Sequence, residues 1–220
     1  MRSVLRRPPD PVAAEAWFSG PAGRALLASE APSVRAALQQ FPRQRCLWLG
    51  PSAVELPEDG MQPPLRLHPV AEGRLGGNLC CTLPLPLASE CCAQVVVQHA
   101  CEVVDDPAFL LDECARVLIP GGWLWLFACN PLAPWRLHWS GHGLRGREPT
   151  TWRRWLRAGG LVPEPVSLGL GPGWRGGVAM PPRRGVGLRP AFLLRSEKRS
   201  LPLTPVRRPR PIGLHAGTPA

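Results

Sequence analysis

The stretch "ARVLIPGGWLWLF" (residues 115–127) decides the fold, because it reads as a helix that stops and becomes a buried strand. Residues 105–107, Asp-Asp-Pro, offer N-cap oxygens and a first-turn proline, so a helix is predicted to begin there. Residues 120–122, Pro-Gly-Gly, are predicted to end that helix, since proline cannot continue it and glycine adopts positive φ without strain. The apolar run 123–129 then predicts a strand covered on both faces.

The predicted helix is amphipathic. Its apolar positions recur at helical spacing and form an inner stripe, whereas Asp112, Glu113 and Arg116 are expected to point outward.

Other segments repeat the same alternation of strand and helix. Short apolar runs predict strands, a helical period predicts two pieces within 16–41 with Pro21 in a first turn, and an amphipathic pattern predicts a short helix. The predicted strands are 45–50, 65–70, 93–98, 161–170 and 186–194, and the short helix is 150–158. Such alternation is typical of an α/β fold with a doubly wound parallel sheet, which binds ligands at the carboxyl ends of its strands. The strand predicted at 123–129 therefore ends on the ligand face, at Asn130.

Length and charge predict one domain with two looser ends. We expect a flexible N-terminus over 1–15, a domain over 16–195 and a disordered basic tail over 196–220. Residues 1–150 carry 13 Arg against 14 Asp and Glu, whereas residues 151–220 carry 13 Arg and Lys against two Glu. A basic tail is one basis for binding nucleic acid, but its prolines and its lack of interleaved aromatic residues favour a solvated segment.

The eight cysteines form no metal or disulfide pattern. They include two adjacent pairs and no Cys-x-x-Cys motif, and most lie in apolar runs, so free buried thiols and no metal are expected. The N-terminal segment lacks an apolar signal region and the chain has no 18-residue apolar span, which predicts a cytoplasmic protein without a membrane segment.

Residues 83–126 resemble the second half of the class I S-adenosylmethionine-dependent methyltransferase domain, of the type-11 sort. The resemblance rests on four short motifs in the family's order. They are Leu83-Pro84-Leu85 before a strand, His99–Glu102 after it, Asp105–Pro107 at a helix start, and Arg116–Gly122 before the next strand.

More of the chain resembles a bacterial branch of small methyltransferases with a degenerate first motif. This likeness extends over most of the chain and is weakest at 51–77. It is carried by Trp17–Leu27, Asn130-Pro131 with Trp135, Trp152–Gly159 and Leu193–Pro205. It implies a Rossmann-like, mostly parallel sheet with an antiparallel C-terminal strand, and S-adenosyl-L-methionine as the cofactor.

The chain departs from the family pattern where the cofactor would bind. The first glycine-rich loop keeps only Gly50, and Trp48 stands at its acidic position. No carboxylate ends the predicted strand 65–70, and Glu72 is only a late substitute for it. Asn78 stands where an Asp contacts adenine, and its carbonyl oxygen offers an equivalent acceptor.

The resemblance implies a set of site residues. Gly50, Pro51 and Ser52 are expected along the methionine part of the cofactor, and Asn78 and Leu83 near the adenine. Gln98, His99 and Glu102 are expected toward the reacting face, with His99 and Glu102 as catalytic candidates. His99 either serves as a general base near neutral pH or packs at the strand end.

Three functional hypotheses follow. The first is a methyltransferase acting on an unknown acceptor, either a small molecule or a macromolecule. The second is a non-catalytic binding or regulatory protein of the same fold, with a decayed cofactor site. The third is a module that associates with RNA through its arginine-rich tail and methylates it.

Overall fold

The computed structural model of the chain describes residues 8–54, 63–173 and 180–199. Its helices are α1 (Pro11–Ser19), α2 (Pro21–Gln39), α3 (Pro107–Val117), α4 (Arg136–Trp139) and α5 (Pro149–Ala158), with a 3-10 turn at Ala100–Glu102. Its strands are β1 (Cys46–Leu49), β2 (Leu65–Pro69), β3 (Arg74–Gly77), β4 (Cys81–Thr82), β5 (Cys92–Gln98), β6 (Leu118–Cys129), β7 (Val162–Pro163), β8 (Leu168–Leu170), β9 (Arg183–Arg184) and β10 (Ala191–Glu197). None of the helices in the described ranges is both long and apolar enough to cross a membrane.

The strands form one sheet with a parallel centre, in the order β4-β3-β2-β1-β5-β6-β10-β8-β9, and β7 pairs with β10. Strands β2, β1, β5 and β6 are parallel, and Leu49 lies between Leu67 and Val97. β10 runs antiparallel between β6 and β8, which confirms the antiparallel C-terminal strand. Because β3 and β4 are antiparallel to their neighbours, the β2 edge of the sheet is a meander.

Helices cover both faces of the parallel centre, so the sheet is doubly wound as predicted. On one face α2 packs Val34 and Ala37 against Trp48 and Phe127. On the other face α3 and α5 contribute Leu110, Cys114, Trp152 and Leu156 to a cluster with the opposite side chains of β1, β5 and β6. Alternate side chains of a strand point to opposite faces, which is why these central strands are apolar throughout.

α3 passes directly into β6 between Val117 and Leu118, five residues before the predicted start of the strand at 123. Asp106 caps α3 through its Oδ1, which accepts the Phe109 N–H at 3.0 Å. The helix ends at Val117, and Leu118 is already extended. Residues 120–122 therefore lie inside the long β6 and do not end the helix, which corrects the prediction.

Tertiary hydrogen bonds explain the early helix end. The N–H groups of Glu90 and Cys91 donate to the Arg116 and Val117 carbonyls at 3.0 and 2.9 Å. The Lys198 ammonium, from the residue that follows β10, donates to the carbonyls of Ala115 and Leu118 at 2.9 and 2.7 Å. The last carbonyls of the helix are thus occupied before Pro120 is reached.

Glu113 is buried, contrary to its predicted outward position. Its carboxylate accepts the Leu85 N–H at 2.7 Å and two bonds from the Arg116 guanidinium, each 2.8 Å. Arg116 also donates to the carbonyls of Leu85 and Leu87. Hydrogen bonding by Arg116 keeps the pKa of Glu113 below its usual value, so the pair ties the loop 83–89 to α3.

The ordered part of the chain extends past both predicted limits. α1 begins at Pro11, with the Asp10 carboxylate accepting the Ala13 N–H, so ordered structure starts before residue 16. β10 continues to Glu197, which places the start of the predicted tail in the sheet. Residues 1–7 and 200–220, the remainder of the two predicted loose ends, lie outside the described residues.

Candidate active site at the carboxyl edge of the sheet

The carboxyl ends of β1, β5 and β6 lie at one edge of the sheet and present Gly50, His99 and Asn130. Between this edge and α1 lies a cavity of about 10 Å³, lined by Gly50, Pro51, Gln98 and His99 from the sheet and by α1 residues. This volume is about that of one water site, whereas small-molecule pockets measure roughly 300–1,000 Å³. α1 therefore covers the ligand edge in this conformation.

The side chain of Glu15 holds α1 against the loop that follows β1. Its carboxylate accepts the N–H groups of Ser52 and Ala53 at 3.1 and 3.0 Å and the Ser52 hydroxyl at 2.6 Å. Arg66 braces the same loop from the other side, donating to the carbonyls of Pro51 and Ser52 at 2.9 and 3.1 Å. The loop after β1 is thus built to hold a carboxylate on its backbone amides.

Gly50 is required by packing around it. A Cβ at this position would lie 2.8 Å from the Trp48 Nε1 and 3.3 Å from the Gln98 Cβ. Trp48, at the position that is acidic in the family, is buried against α2. The single glycine retained in the loop therefore leaves room for the tryptophan and Gln98.

His99 lies in a cluster of fully buried polar side chains. Its Nδ1 is 2.6 Å from the Glu102 Oε2 and its Nε2 is 3.0 Å from the Glu30 Oε1. All three side chains are completely buried. His99 also adopts the left-handed conformation with φ +56°, which is sparsely populated and costs free energy in a residue with a Cβ.

The surroundings of His99 favour its charged form. Burial lowers the pKa of His99, but the Glu30 carboxylate, Cys129 and Glu102 raise it by more, so the pKa lies well above its ordinary value. An imidazolium donates from both ring nitrogens, which matches the two carboxylates. In this arrangement His99 has no free ring nitrogen to accept a proton, so it serves as a buried cation between two acids.

Cys129 completes the cluster as a neutral thiol. Its Sγ is 3.7 Å from the His99 Nδ1, and its N–H donates to the Glu102 Oε1 at 2.9 Å. Burial and the Glu102 charge raise the pKa of Cys129 to about 12. His99, Glu102 and Cys129 each offer a possible metal-ligand atom, and these atoms lie within 4.8 Å of one another. Here the three side chains contact one another as hydrogen-bond partners, and the thiol is protonated.

Gln98 connects this cluster to the cavity. Its Nε2 donates to the Glu30 Oε2 at 2.8 Å. Its Oε1 is buried and has no hydrogen-bond partner within the described part of the chain, although the residue lines the cavity. A buried acceptor without a partner is costly, and a ligand donor would satisfy it.

The structure does not bring Asn78 and Leu83 to this group. Asn78 lines a different cavity with Arg45, Cys46 and Leu65, where β1 and β2 begin, and its Oδ1 accepts the Arg66 N–H at 2.6 Å. It lies there because β3 returns antiparallel to β2. Leu83 packs against the core cluster of α3 and α5, and Glu72 is exposed beside Arg74 at 3.3 Å.

Two acidic residues of this edge, Glu15 and Glu30, were not identified from the sequence. Glu30 had a signal that could have revealed it: it is four residues from Leu26 and from Val34, so it shares the apolar face of its helix. Glu15 had no such signal, because its partners lie 37 and 38 positions along the chain.

The comparisons with known proteins agree with this architecture. Residues 72–126 match the family model described as a methyltransferase domain. A search of curated proteins found no match to the chain.

Solved structures resemble the whole domain. An S-adenosylmethionine-dependent methyltransferase from Thermotoga maritima, described as a possible histamine N-methyltransferase, is 17% identical with a TM-score of 0.58. The alignment covers 84% of this chain and 95% of that one. A complex from Haloferax volcanii, of the Trm112 methyltransferase activator and a protein assigned as a methyltransferase, gives 14% identity and a TM-score of 0.50. That alignment covers 84% of this chain and 97% of the other.

The parallel centre of the sheet and its antiparallel outer strands agree with these matches. The chain therefore shares the fold of these solved methyltransferases, and its residues 72–126 match the methyltransferase-domain model.

Proposed function

We propose that this protein is an S-adenosylmethionine-dependent methyltransferase and that the cofactor binds between the loop after β1 and the end of β5. The observation that carries the proposal is the loop itself. Its Ser52 and Ala53 amides hold a carboxylate, that of Glu15, which stands in for the carboxylate of the cofactor's methionine part.

The polar groups of this edge fit such a ligand. The loop amides are donors for a carboxylate, and the Gln98 Oε1, which has no partner among the described residues, is an acceptor for an ammonium or amino group. Glu15 and Gln98 both line the same cavity. A zwitterionic amino-acid moiety therefore finds both of its charges matched there.

The cavity between α1 and the sheet is too small for the cofactor while α1 covers this edge. A cavity of about 10 Å³ excludes a nucleoside, so the ligand and α1 compete for the same site. Binding then requires Glu15 to release the loop, and the measured affinity is reduced by the fraction of molecules in which α1 is closed.

When bound, the cofactor supplies a methyl group on a sulfonium centre, which leaves a thioether once the methyl is transferred to an acceptor nucleophile. The chain's own contribution is to position and surround the two reactants. The Glu30–His99–Glu102 cluster places two carboxyl groups and one imidazole beside this edge. No free base is offered at His99, so rate enhancement comes from placing the reactants in line.

The test is calorimetric titration of the full chain with S-adenosylhomocysteine, comparing the wild type with Glu15→Ala. Removing Glu15 frees the loop amides from a charge-assisted contact worth about 1.5–3 kcal/mol, so the variant should bind roughly ten- to a hundredfold more tightly. Glu148→Ala is the matched control, because Glu148 is an exposed acid at the start of α5.

The titration has one result that supports the proposal and one that contradicts it. Tighter binding by Glu15→Ala and unchanged binding by Glu148→Ala support the proposal. If neither the wild type nor folded Glu15→Ala binds at millimolar ligand, the cofactor assignment fails.

A further inference from the structure

We propose that the methyl acceptor is a small anion and that its phosphate or carboxylate binds in a second cavity, the arginine pocket. This pocket is lined by Arg183, Arg184 and Arg189, by Trp135, and by neighbouring residues of 172–173 and 180–190. The anion site stands on the pocket's own geometry, while its assignment to the acceptor rests on the proposed methyltransferase function.

The arginine pocket has the size of a small-molecule site. Its volume is about 510 Å³, within the roughly 300–1,000 Å³ of such sites and far larger than the cavity beneath α1. It lies between the segment leading into β10 and the turn that follows β6.

The charged side chains in the described lining of the pocket are all positive. Its described lining contains three arginines and no acidic residue. The Nη1 of Arg189 is buried and has no hydrogen-bond partner within the described residues. A guanidinium donor left unpaired in this way is costly, and guanidinium groups pair best with the planar or tetrahedral oxygens of carboxylate and phosphate.

Trp135 gives a second, independent indication. The residue is 8% exposed, and its indole Nε1 is buried without a partner in the part of the chain that the structure describes. Buried indole N–H groups usually find an acceptor. Two residues of the pocket lining thus each carry a buried donor that has no partner in the described part of the chain.

The pocket adjoins the reacting edge of the sheet. Asn130, the first residue after β6, donates through its Nδ2 to the carbonyls of Gly187 and Arg189, each at 2.9 Å. Trp135 packs in one cluster with Phe18 and Val103, which also line the cavity beneath α1. A molecule of modest size anchored by its anionic group would therefore lie beside the methyl-transfer site.

The concave shape favours a small ligand over a nucleic acid strand. A strand is usually held along an extended basic groove with stacked aromatic side chains. The described lining of this pocket has one tryptophan, and its ring packs on His138 at 4.5 Å. We therefore assign the pocket to a small oxyanion and make RNA an outcome of the test.

The experiment titrates the full chain with pyrophosphate, with succinate and with a single-stranded RNA 12-mer, all at one ionic strength. Arg183→Gln/Arg184→Gln and Arg189→Gln should each weaken binding of the small anions at least tenfold. Trp135→Phe, which keeps a ring and removes the N–H, should also weaken it. The relative affinities of pyrophosphate and succinate identify the anionic group.

The control for the double variant is Arg154→Gln/Arg157→Gln, which also removes two positive charges, but from exposed positions on α5. It should bind the small anions as the wild type does. Equal losses in this control and in the pocket variants would reduce the effect to net charge and overturn the proposal, as would no binding by the folded wild type. Tighter binding of the RNA, lost in the pocket variants, would assign the pocket to nucleic acid instead.

S-adenosylhomocysteine binding is measured on the same preparations and should be unchanged in the pocket variants. If the arginine-dependent anion binding persists in a protein that binds no S-adenosylhomocysteine under any condition, the anion site stands and its role as an acceptor site is overturned.

Discussion

At the residue scale, the buried Glu30–His99–Glu102 cluster is the unusual feature of this protein. Charges removed from water are tolerated only where each is paired and hydrogen-bonded. His99 meets this condition through one carboxylate on each ring nitrogen, with Glu30 further bonded by Gln98. Removing the cation leaves two buried acids unpaired, which predicts a large effect of His99 substitution.

His99→Gln should lower the free energy of unfolding in a pH-dependent way. Because the pKa of His99 is raised in the folded protein, its stabilising contribution is complete below the unfolded value of about 6.5 and is lost as pH rises through the folded pKa. The difference between wild type and variant should therefore be largest below about pH 6.5 and shrink as the pH rises through the folded pKa. Urea denaturation at several pH values measures it, and a pH-independent difference would contradict the buried cation.

The sequence revealed only part of this cluster. His99 and Glu102 are recognisable because they lie three residues apart in a familiar motif. Glu30 is 69 residues away, and only the fold brings it to the His99 ring. The same limit applies to the role of His99, since a general base and a doubly bonded cation look identical until both ring neighbours are known.

At the element scale, α3 is fastened by both its apolar face and its ion pair. Glu113 and Arg116 hold the loop 83–89 through Leu85 and Leu87, so the approach to β5 depends on one turn of helix. Asp106 and Pro107 made the start of α3 predictable from local chemistry. Its end was not, because the carbonyls of Arg116 and Val117 are taken by distant N–H groups.

Glu113→Gln should destabilise the protein by about 1–3 kcal/mol at pH 7, since it removes the charge that Arg116 contacts while keeping the shape. Hydrogen bonding by Arg116 lowers the pKa of Glu113 in the folded state. Its contribution is therefore present above the unfolded value of about 4.3 and is lost as pH falls through the folded pKa. Thermal unfolding at pH 7 and pH 3.5 measures this, and Asp112→Asn, on the same helix, is the control. A deficit that is as large at pH 3.5 as at pH 7 would rule out the ionic contribution.

The antiparallel β3 and β4 are elements that the sequence did not predict. The segment 51–93 shows little alternation, and β3 itself reads Arg-Leu-Gly-Gly. The hairpin from β2 turns at Glu72 and Gly73, both with positive φ. This local reversal places Asn78 at the opposite edge of the sheet, so a position inferred from family order was separated from the other site residues.

At the scale of the whole molecule, the sheet can be predicted from the sequence. The position of α1 over the ligand edge of that sheet cannot. Strand composition and right-handed crossovers determine that Gly50, His99 and Asn130 share one edge. The position of α1 depends on a few contacts between Glu15 and the loop after β1, and no pattern in the first 20 residues predicts them. The architecture is therefore much more predictable than the accessibility of the site.

The acylation rate of Lys198, the sole lysine of the chain, measures how often this end of the sheet opens. Lys198 donates to two carbonyls at the junction of α3 and β6 and lies 3.4 Å from Glu90. An amine held in this way is a poor nucleophile toward an acylating reagent until β10 separates from β6. Acylation of Lys198 should consequently run well below the rate for N-acetyl-lysine and accelerate with urea in step with global unfolding, as intact mass and peptide mapping would record. Reaction at the free-lysine rate in buffer alone would mean that this end of β10 opens independently of the rest of the sheet.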